Sequence, residues 1–209
     1  MNIWIITDNP NSWIVKFIPQ LITQLSKNHS VKHVFTLDEL GSGDILCALS
    51  CERIIRQEHL SRFKSTIVAH PSPLPQGKGW SPVAWQILEG KNNIPVSLIE
   101  AAEKVDSGVI YYQDFMRLGP NDLNDEIKME QFRVTAELVV RYCDNFPVKG
   151  VEQSGEESFY PKFTKEDNRL DIKKSIEDQF SLFRIADNQR YPCWFEMDGQ
   201  EFEVKIFKR

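Results

Sequence analysis

Residues 66 to 82 constrain this chain more than any other stretch. Thr66 to Ala69 is an apolar run that reads as a buried strand. It delivers His70 to a segment carrying Pro71, Pro73, Pro75 and Pro82. Proline fixes its own φ, lacks an N–H, and pushes the preceding residue out of the helical region. The stretch can therefore be neither a helix nor a central strand. The sheet must stop at His70, and the chain must leave it through a stiff loop punctuated by Gly77 and Gly79. Such a loop mounts an imidazole at a strand end. A lone histidine in that position is most simply a core residue, so its companions decide the matter.

The flanking sequence alternates strand and helix signals. Residues 2–7 read as a buried strand opening into the turn cluster Asp8-Asn9-Pro10-Asn11-Ser12-Trp13. Ile14, Phe17, Ile18, Leu21, Ile22 and Leu25 then recur at helical spacing. Strands are expected at 34–36, 45–49, 66–69, 96–99 and 109–112. Helices are expected at 57–63, at 82–88 with Ser81 as its start, and at 123–142. This alternation predicts an α/β layer fold with a mostly parallel sheet. Ligands in such folds bind outside the carboxyl ends of the strands. That rule gathers residues 8–13, 50–53 and 70–80 on one rim, where the loop Val105-Asp106-Ser107-Gly108 can join them.

The pattern changes near Gly155, which suggests a body over 1–154 and an extension over 155–209. The extension carries a charged linker at 165–169 and an amphipathic helix with Ile172, Ile176, Phe180 and Phe183 on one face. Asp198-Gly199 between two apolar runs signals a hairpin. At 209 residues and 41% hydrophobic, the chain can build one good core and a small appendage. The N-terminus lacks signal-peptide features, no apolar run spans a bilayer, and the four cysteines form no CxxC pair. A cytoplasmic protein with reduced thiols and no metal site is the expectation. A net charge of −5 argues against broad nucleic-acid or membrane surfaces.

His70 and Asp106 are the first candidate pair. A strand-end histidine with a nearby carboxylate is a general acid/base arrangement, because the carboxylate orients the ring. Asp106 is equally at home as a turn residue in Asp-Ser-Gly. The segment His70-Pro71-Ser72-Pro73-Leu74-Pro75, then Gly77-Lys78-Gly79, then Val105-Asp106-Ser107-Gly108, resembles the formyltransferase family. The resemblance covers roughly residues 1–145. It implies a Rossmann-like domain, 10-formyltetrahydrofolate as cosubstrate, and catalytic roles for His70 and Asp106. It also exposes a departure: the family has an asparagine two places before the histidine, and this chain has Val68. Either another donor such as Ser50 or a backbone N–H substitutes, or activity is reduced, or the chain binds without catalysing.

The resemblance further implies folate-binding loops at Ser50 to Ile55 (Ser50, Arg53 and Ile55) and at Ala101 to Asp106 (Ala101, Ala102, Val105 and Asp106). For the acceptor it implies the loop bearing Asn9, Asn11 and Ser12, together with Lys78 and Gly79. Ser12 as a helix cap and Lys78 as a surface lysine are the plainer alternatives. The absence of a long basic domain after Arg209 speaks against tRNA. Trp80 in Gly79-Trp80-Ser81-Pro82 and Tyr191 in the tail look most like the sugar-nucleotide N-formyltransferases, with Trp80, Tyr191, Trp194 and Phe195 as candidate walls for the sugar or base, each of them singly more simply a core residue. The expected acceptor is a nucleoside-diphosphate-linked amino-deoxysugar destined for surface polysaccharide, and a homodimer is expected. A folate- or nucleotide-binding pseudoenzyme, or a formyltransferase for another small amine, stays open.

Overall fold

Short runs of Ile, Val and Leu bounded by turn residues form strands, and helices and loops cover both faces of the sheet they build. The computed structural model describes residues 1–209. The chain runs through β1 (Asn2–Ile6), α1 (Ile18–Leu25), β2 (Ser30–Val34), β3 (Gly43–Ala48) and α2 (Gln57–Leu60). It continues with β4 (Phe63–His70), β5 (Lys78–Gly79), α3 (Pro82–Leu88), β6 (Asn93–Glu100), β7 (Ile110–Arg117) and α4 (Asn124–Asn145). Then follow β8 (Phe159–Tyr160), α5 (Phe180–Ile185), β9 (Cys193–Met197) and β10 (Gln200–Val204). No helix is long and apolar enough to cross a membrane.

The main sheet has the order β2-β1-β3-β4-β6-β7. The first four strands are parallel, and β6 pairs antiparallel with both β4 and β7. This is the expected mostly parallel α/β sheet, with one reversed strand beside the histidine strand. One face packs Ile3, Ile5, Ile45, Cys47 and Ile67 against α1 and α4. The other carries a smaller core of Ile6, Leu46, Ala48, Leu40 and Phe63. All four cysteines are free. In α4, the Glu126 carboxylate accepts the Leu123 N–H at 2.8 Å, an N-terminal cap that starts the helix close to where its periodicity begins.

Two local expectations are corrected and one is qualified. The second strand is Ser30–Val34, not 34–36, because the Glu39 carboxylate takes the N–H groups of Phe35 and Thr36 and bends the chain into a turn. α3 spans Pro82–Leu88 with Ser81 at its N-cap position, as expected, but Ser81 sits at φ +51 and makes no side-chain cap. The helix in the extension is only α5. Gln179 holds the backbone of Asp171 and Lys174, so residues 171–176 wrap round it and leave Ile172 and Ile176 exposed. The hairpin turn at Asp198-Gly199 is as expected, with φ +50 and +76.

The expected boundary after residue 154 falls inside a segment tied to the body. Val151 exchanges two backbone hydrogen bonds with Ile110, and β8 pairs with β5 in the proline loop. The end of the extension packs its own small core of Leu170, Phe183, Ala186 and Cys193.

Candidate active site

β4 ends at His70, which is 6% exposed. The prolines turn the chain so that the carbonyl of Gly77 faces the ring, and Nε2–H donates to it at 2.9 Å. Nδ1 lies 3.5 Å from the Asp106 carboxylate. The structure therefore brings together the two residues that the sequence singled out, 36 positions apart.

The Asp106 loop is shaped by close backbone approach. Asp106 itself is at φ +53, a left-handed conformation that aspartate tolerates better than most residues. A Cβ on Gly108 would lie 1.8 Å from the Glu100 carbonyl, so only glycine fits. The other Asp106 oxygen accepts the Gly79 N–H at 2.9 Å, which joins the two loops directly. Gly79 also sits at φ +93, where a Cβ would meet the Tyr160 carbonyl at 2.7 Å.

Lys78 is corrected as a free phosphate contact. It is 1% exposed, and its Nζ donates to Glu157 at 2.7 Å and to Ser107 at 2.9 Å. Lys104 binds the same carboxylate, and the two lysines hold Glu157 below its ordinary pKa. The plainer reading of Lys78 as a surface lysine is excluded as well, since it is an internal tie.

The remaining candidates scatter along the rim. Ser50 is exposed at φ +55 beyond β3 and accepts a hydrogen bond from the Ser12 hydroxyl at 2.9 Å. Asn9 donates to Glu52, and the Asp8 carboxylate takes the N–H groups of Glu52 and Arg53. The loops after β1 and β3 are thus laced together, and Ser12 caps no helix. Arg53 is exposed, while Ile55 packs beside Val68 and Cys51 on the smaller core. Burial pushes the Cys51 thiol up to about 12, so it is no nucleophile at neutral pH. In the second loop Ala101 is half-buried, and Ala102 and Val105 are exposed.

A cleft of about 340 Å³ opens beside the histidine strand, lined by Ser50, Ala69, Pro71, Trp80, Gln131 and Thr135 among others. It shares Trp13, Asn124 and Lys128 with a groove of about 820 Å³ between Asn11–Lys16 and the extension. Trp80 is 43% exposed on the cleft, and Tyr191 is 60% exposed beside Arg190. Trp194 takes the core alternative, buried in the extension with its indole N–H on the Lys165 carbonyl. Phe195 is half-buried and stacks on Phe202 across the hairpin.

Sequence reasoning missed the residues that hold the pair in place. Gln153 donates from one amide nitrogen to the carbonyls of Asp106 at 2.9 Å and Gly108 at 2.8 Å. The Ser158 hydroxyl accepts the Gly77 N–H at 2.9 Å. Gln131 and Thr135 on α4 were also missed. They are polar positions on an apolar helix face that lines the cleft.

A family model described as "Formyl transferase" matches residues 17–141, more than half of the chain. The methionyl-tRNA formyltransferase of Thermosipho melanesiensis is 26% identical over 107 residues, covering 51% of this chain and 35% of that protein. The chain spans about a third to a half of the length of such curated relatives. Among solved structures, a methionyl-tRNA formyltransferase from Clostridium thermocellum superposes with a TM-score of 0.84. It is 20% identical, and the match covers 99% of this chain and 92% of that one. A 4-N formyltransferase from Francisella tularensis gives 0.77 at 14% identity, covering 98% and 96%. HypX from Aquifex aeolicus, solved in complex with tetrahydrofolic acid, gives 0.73 at 20% identity, covering 98% and 37%. These likenesses confirm the fold. The matched family segment contains both His70 and Asp106, and on that match the chain belongs to the formyl transferase family.

Proposed function

We propose that this chain transfers a formyl group from 10-formyltetrahydrofolate to the amino group of a nucleoside-diphosphate-linked amino-deoxysugar. The single observation that carries formyl transfer is the His70–Asp106 pair, 3.5 Å apart at the carboxyl end of β4 within the family segment. The neutral amine attacks the formyl carbon and a tetrahedral intermediate forms. The C–N10 bond then breaks, giving a formamide and tetrahydrofolate. A protonated His70 stabilises the oxyanion and gives its proton to the departing N10, while Asp106 orients the ring, takes the proton from the amine directly or through water, and passes it back to His70. The folate lies against the loops that carry Ser50, Arg53 and Ile55 and Ala101 to Asp106.

The acceptor reading rests on the cleft and the groove it opens into. Trp80 and Tyr191 offer aromatic faces for a sugar or base. The groove is lined by Lys16, Lys128, Arg190, Lys205 and Lys208 against Asp125, Glu126 and Asp187, a local excess of cations in a chain of net charge −5. Asn11 and Ser12 line the groove, and Asn9 belongs to the same loop. The product serves surface polysaccharide synthesis, and the working form is a cytoplasmic homodimer.

A second reading is favoured by Val68, which carries no donor where the family has an amide. In that reading the chain binds folate or nucleotide without turnover. Purified protein assayed with 10-formyltetrahydrofolate against nucleotide-linked amino sugars, methionyl-tRNA and simple amines separates the two. Formylation of an amino sugar, lost at least 10³-fold in His70→Asn and in Asp106→Asn with folate binding retained, is the expected result. Folate binding with no turnover on any amine establishes the second reading, and preference for methionyl-tRNA overturns the acceptor.

A further inference from the structure

Residues 151–160 form a strap over the catalytic pair, and they lie beyond the segment that the family model matches. The strap is fixed at both ends, by the Val151–Ile110 backbone pair and by β8 against β5. Between these anchors it reaches both catalytic loops. Gln153 bonds the carbonyls on either side of Ser107, one of them Asp106's own. Ser158 bonds the Gly77 N–H, and the Gly77 carbonyl takes the His70 ring. Glu157 anchors Lys78, the residue between the Gly77 carbonyl on His70 and the Gly79 amide on Asp106.

We propose that Gln153 is a positioning residue for formyl transfer, fixing the Asp106 turn so that its carboxylate meets His70. The inference rests on the formyl-transfer reading. The geometry explains why such a residue is needed. Asp106 holds a left-handed conformation, and Gly108 has no side chain to brace the turn. At 3.5 Å the Nδ1–carboxylate separation is at the outer edge of hydrogen bonding, so a shift of a few tenths of an ångström makes or breaks the contact. One amide nitrogen gripping two carbonyls of the turn removes that freedom. The same strap also sets the Gly77 carbonyl, so it registers both partners against one frame.

Gln153→Leu tests this. The variant keeps the bulk and removes the donor. A lost sub-ångström register costs about 10–100-fold in kcat, since misplacement by an ångström costs about 10². The KM for 10-formyltetrahydrofolate should stay within about twofold. The Gly79 amide, bonded to the Asp106 carboxylate, should exchange its hydrogen about tenfold faster. Gln153→Glu adds a pH signature. Its protonated carboxyl donates to one carbonyl and its ionised form to none, so its kcat should fall with rising pH relative to the parent. Unchanged kcat, or a raised KM with kcat intact, overturns the proposal. If the parent protein formylates no amine, the formyl-transfer reading fails. Gly79 exchange then decides whether Gln153 positions the turn, and unaltered exchange in both variants sinks it. Should Gln153→Leu not fold, Gln153→Glu below pH 5 and at pH 8 provides the same comparison in one protein.

Discussion

Val68 is the residue where sequence and chemistry disagree most. Side chains two apart on a strand share a face, so Val68 stands on the His70 side of β4, half-buried near Cys51 and Ile55. Asparagine is close to valine in volume and would add an amide donor beside the imidazole. Val68→Asn is expected to raise kcat about 10-fold or more, since one oxyanion donor is typically worth about 10²–10³. Placing a polar group there should lower stability by about 1–2 kcal/mol. If kcat does not rise, the oxyanion is already served by another donor, and Ser50→Ala should then lower it. The pair itself was legible because proline and glycine rules apply locally to residues 70–79 and 105–108. The supporting side chains were not. Gln153 is 47 positions from Asp106, and Ser158 is 81 from Gly77, separations at which local pattern carries no signal.

Elements were legible where their signal was periodic or rested on a turn type. α4, β4 and the Asp198-Gly199 hairpin were of this kind. They failed where a side chain competed for backbone groups, as Glu39 does after β2 and Gln179 does before α5. The extension shows why apolar spacing misled. Its docking on the body uses a buried cation rather than an apolar stripe. Arg184 on α5 is buried, and its guanidinium donates to the carbonyls of Asp122 at 3.2 Å and Gly119 at 3.0 Å. Burial pushes its pKa below the ordinary value, with Asp122 opposing. These bonds satisfy carbonyls in the turn that leads into α4. Arg184→Met should cost about 2–4 kcal/mol in urea unfolding, because it removes two charge-assisted bonds and leaves the Asp122 carbonyl without its guanidinium donor. A cost below about 0.5 kcal/mol would mean that the apolar contacts of Phe183 and Ala186 alone dock the helix.

Across the whole molecule, the bonds that hold the extension to the body include two ion pairs to α4, and these make its docking sensitive to acid. Lys128 on α4 binds Asp187 at 2.9 Å, and Lys208 binds Glu126 at the start of the same helix. Burial alone would raise the Asp187 pKa. The Lys128 bond and the N–H groups of Gln189 and Arg190 outweigh it, and the net shift is downward. Glu126 is lowered chiefly by Lys208, and by the Leu123 N–H. A carboxylate whose folded pKa is depressed contributes stability that is fully present above its unfolded value, about 4. That contribution disappears as pH falls through the folded value. The extension should therefore remain docked from neutral pH down to about 5 and release below about 4. Trp194, buried in the extension, reports the release through its fluorescence once Trp4, Trp13, Trp80 and Trp85 are replaced by phenylalanine. In Lys128→Met the main downward influence on Asp187 is gone, and burial is opposed only by the N–H groups of Gln189 and Arg190. The release midpoint should then move to higher pH, while unfolding of the body, followed by far-UV circular dichroism, moves less. An unshifted Trp194 midpoint in that variant would show that the ion pairs do not hold the extension, and that the groove they frame is kept open by apolar packing alone.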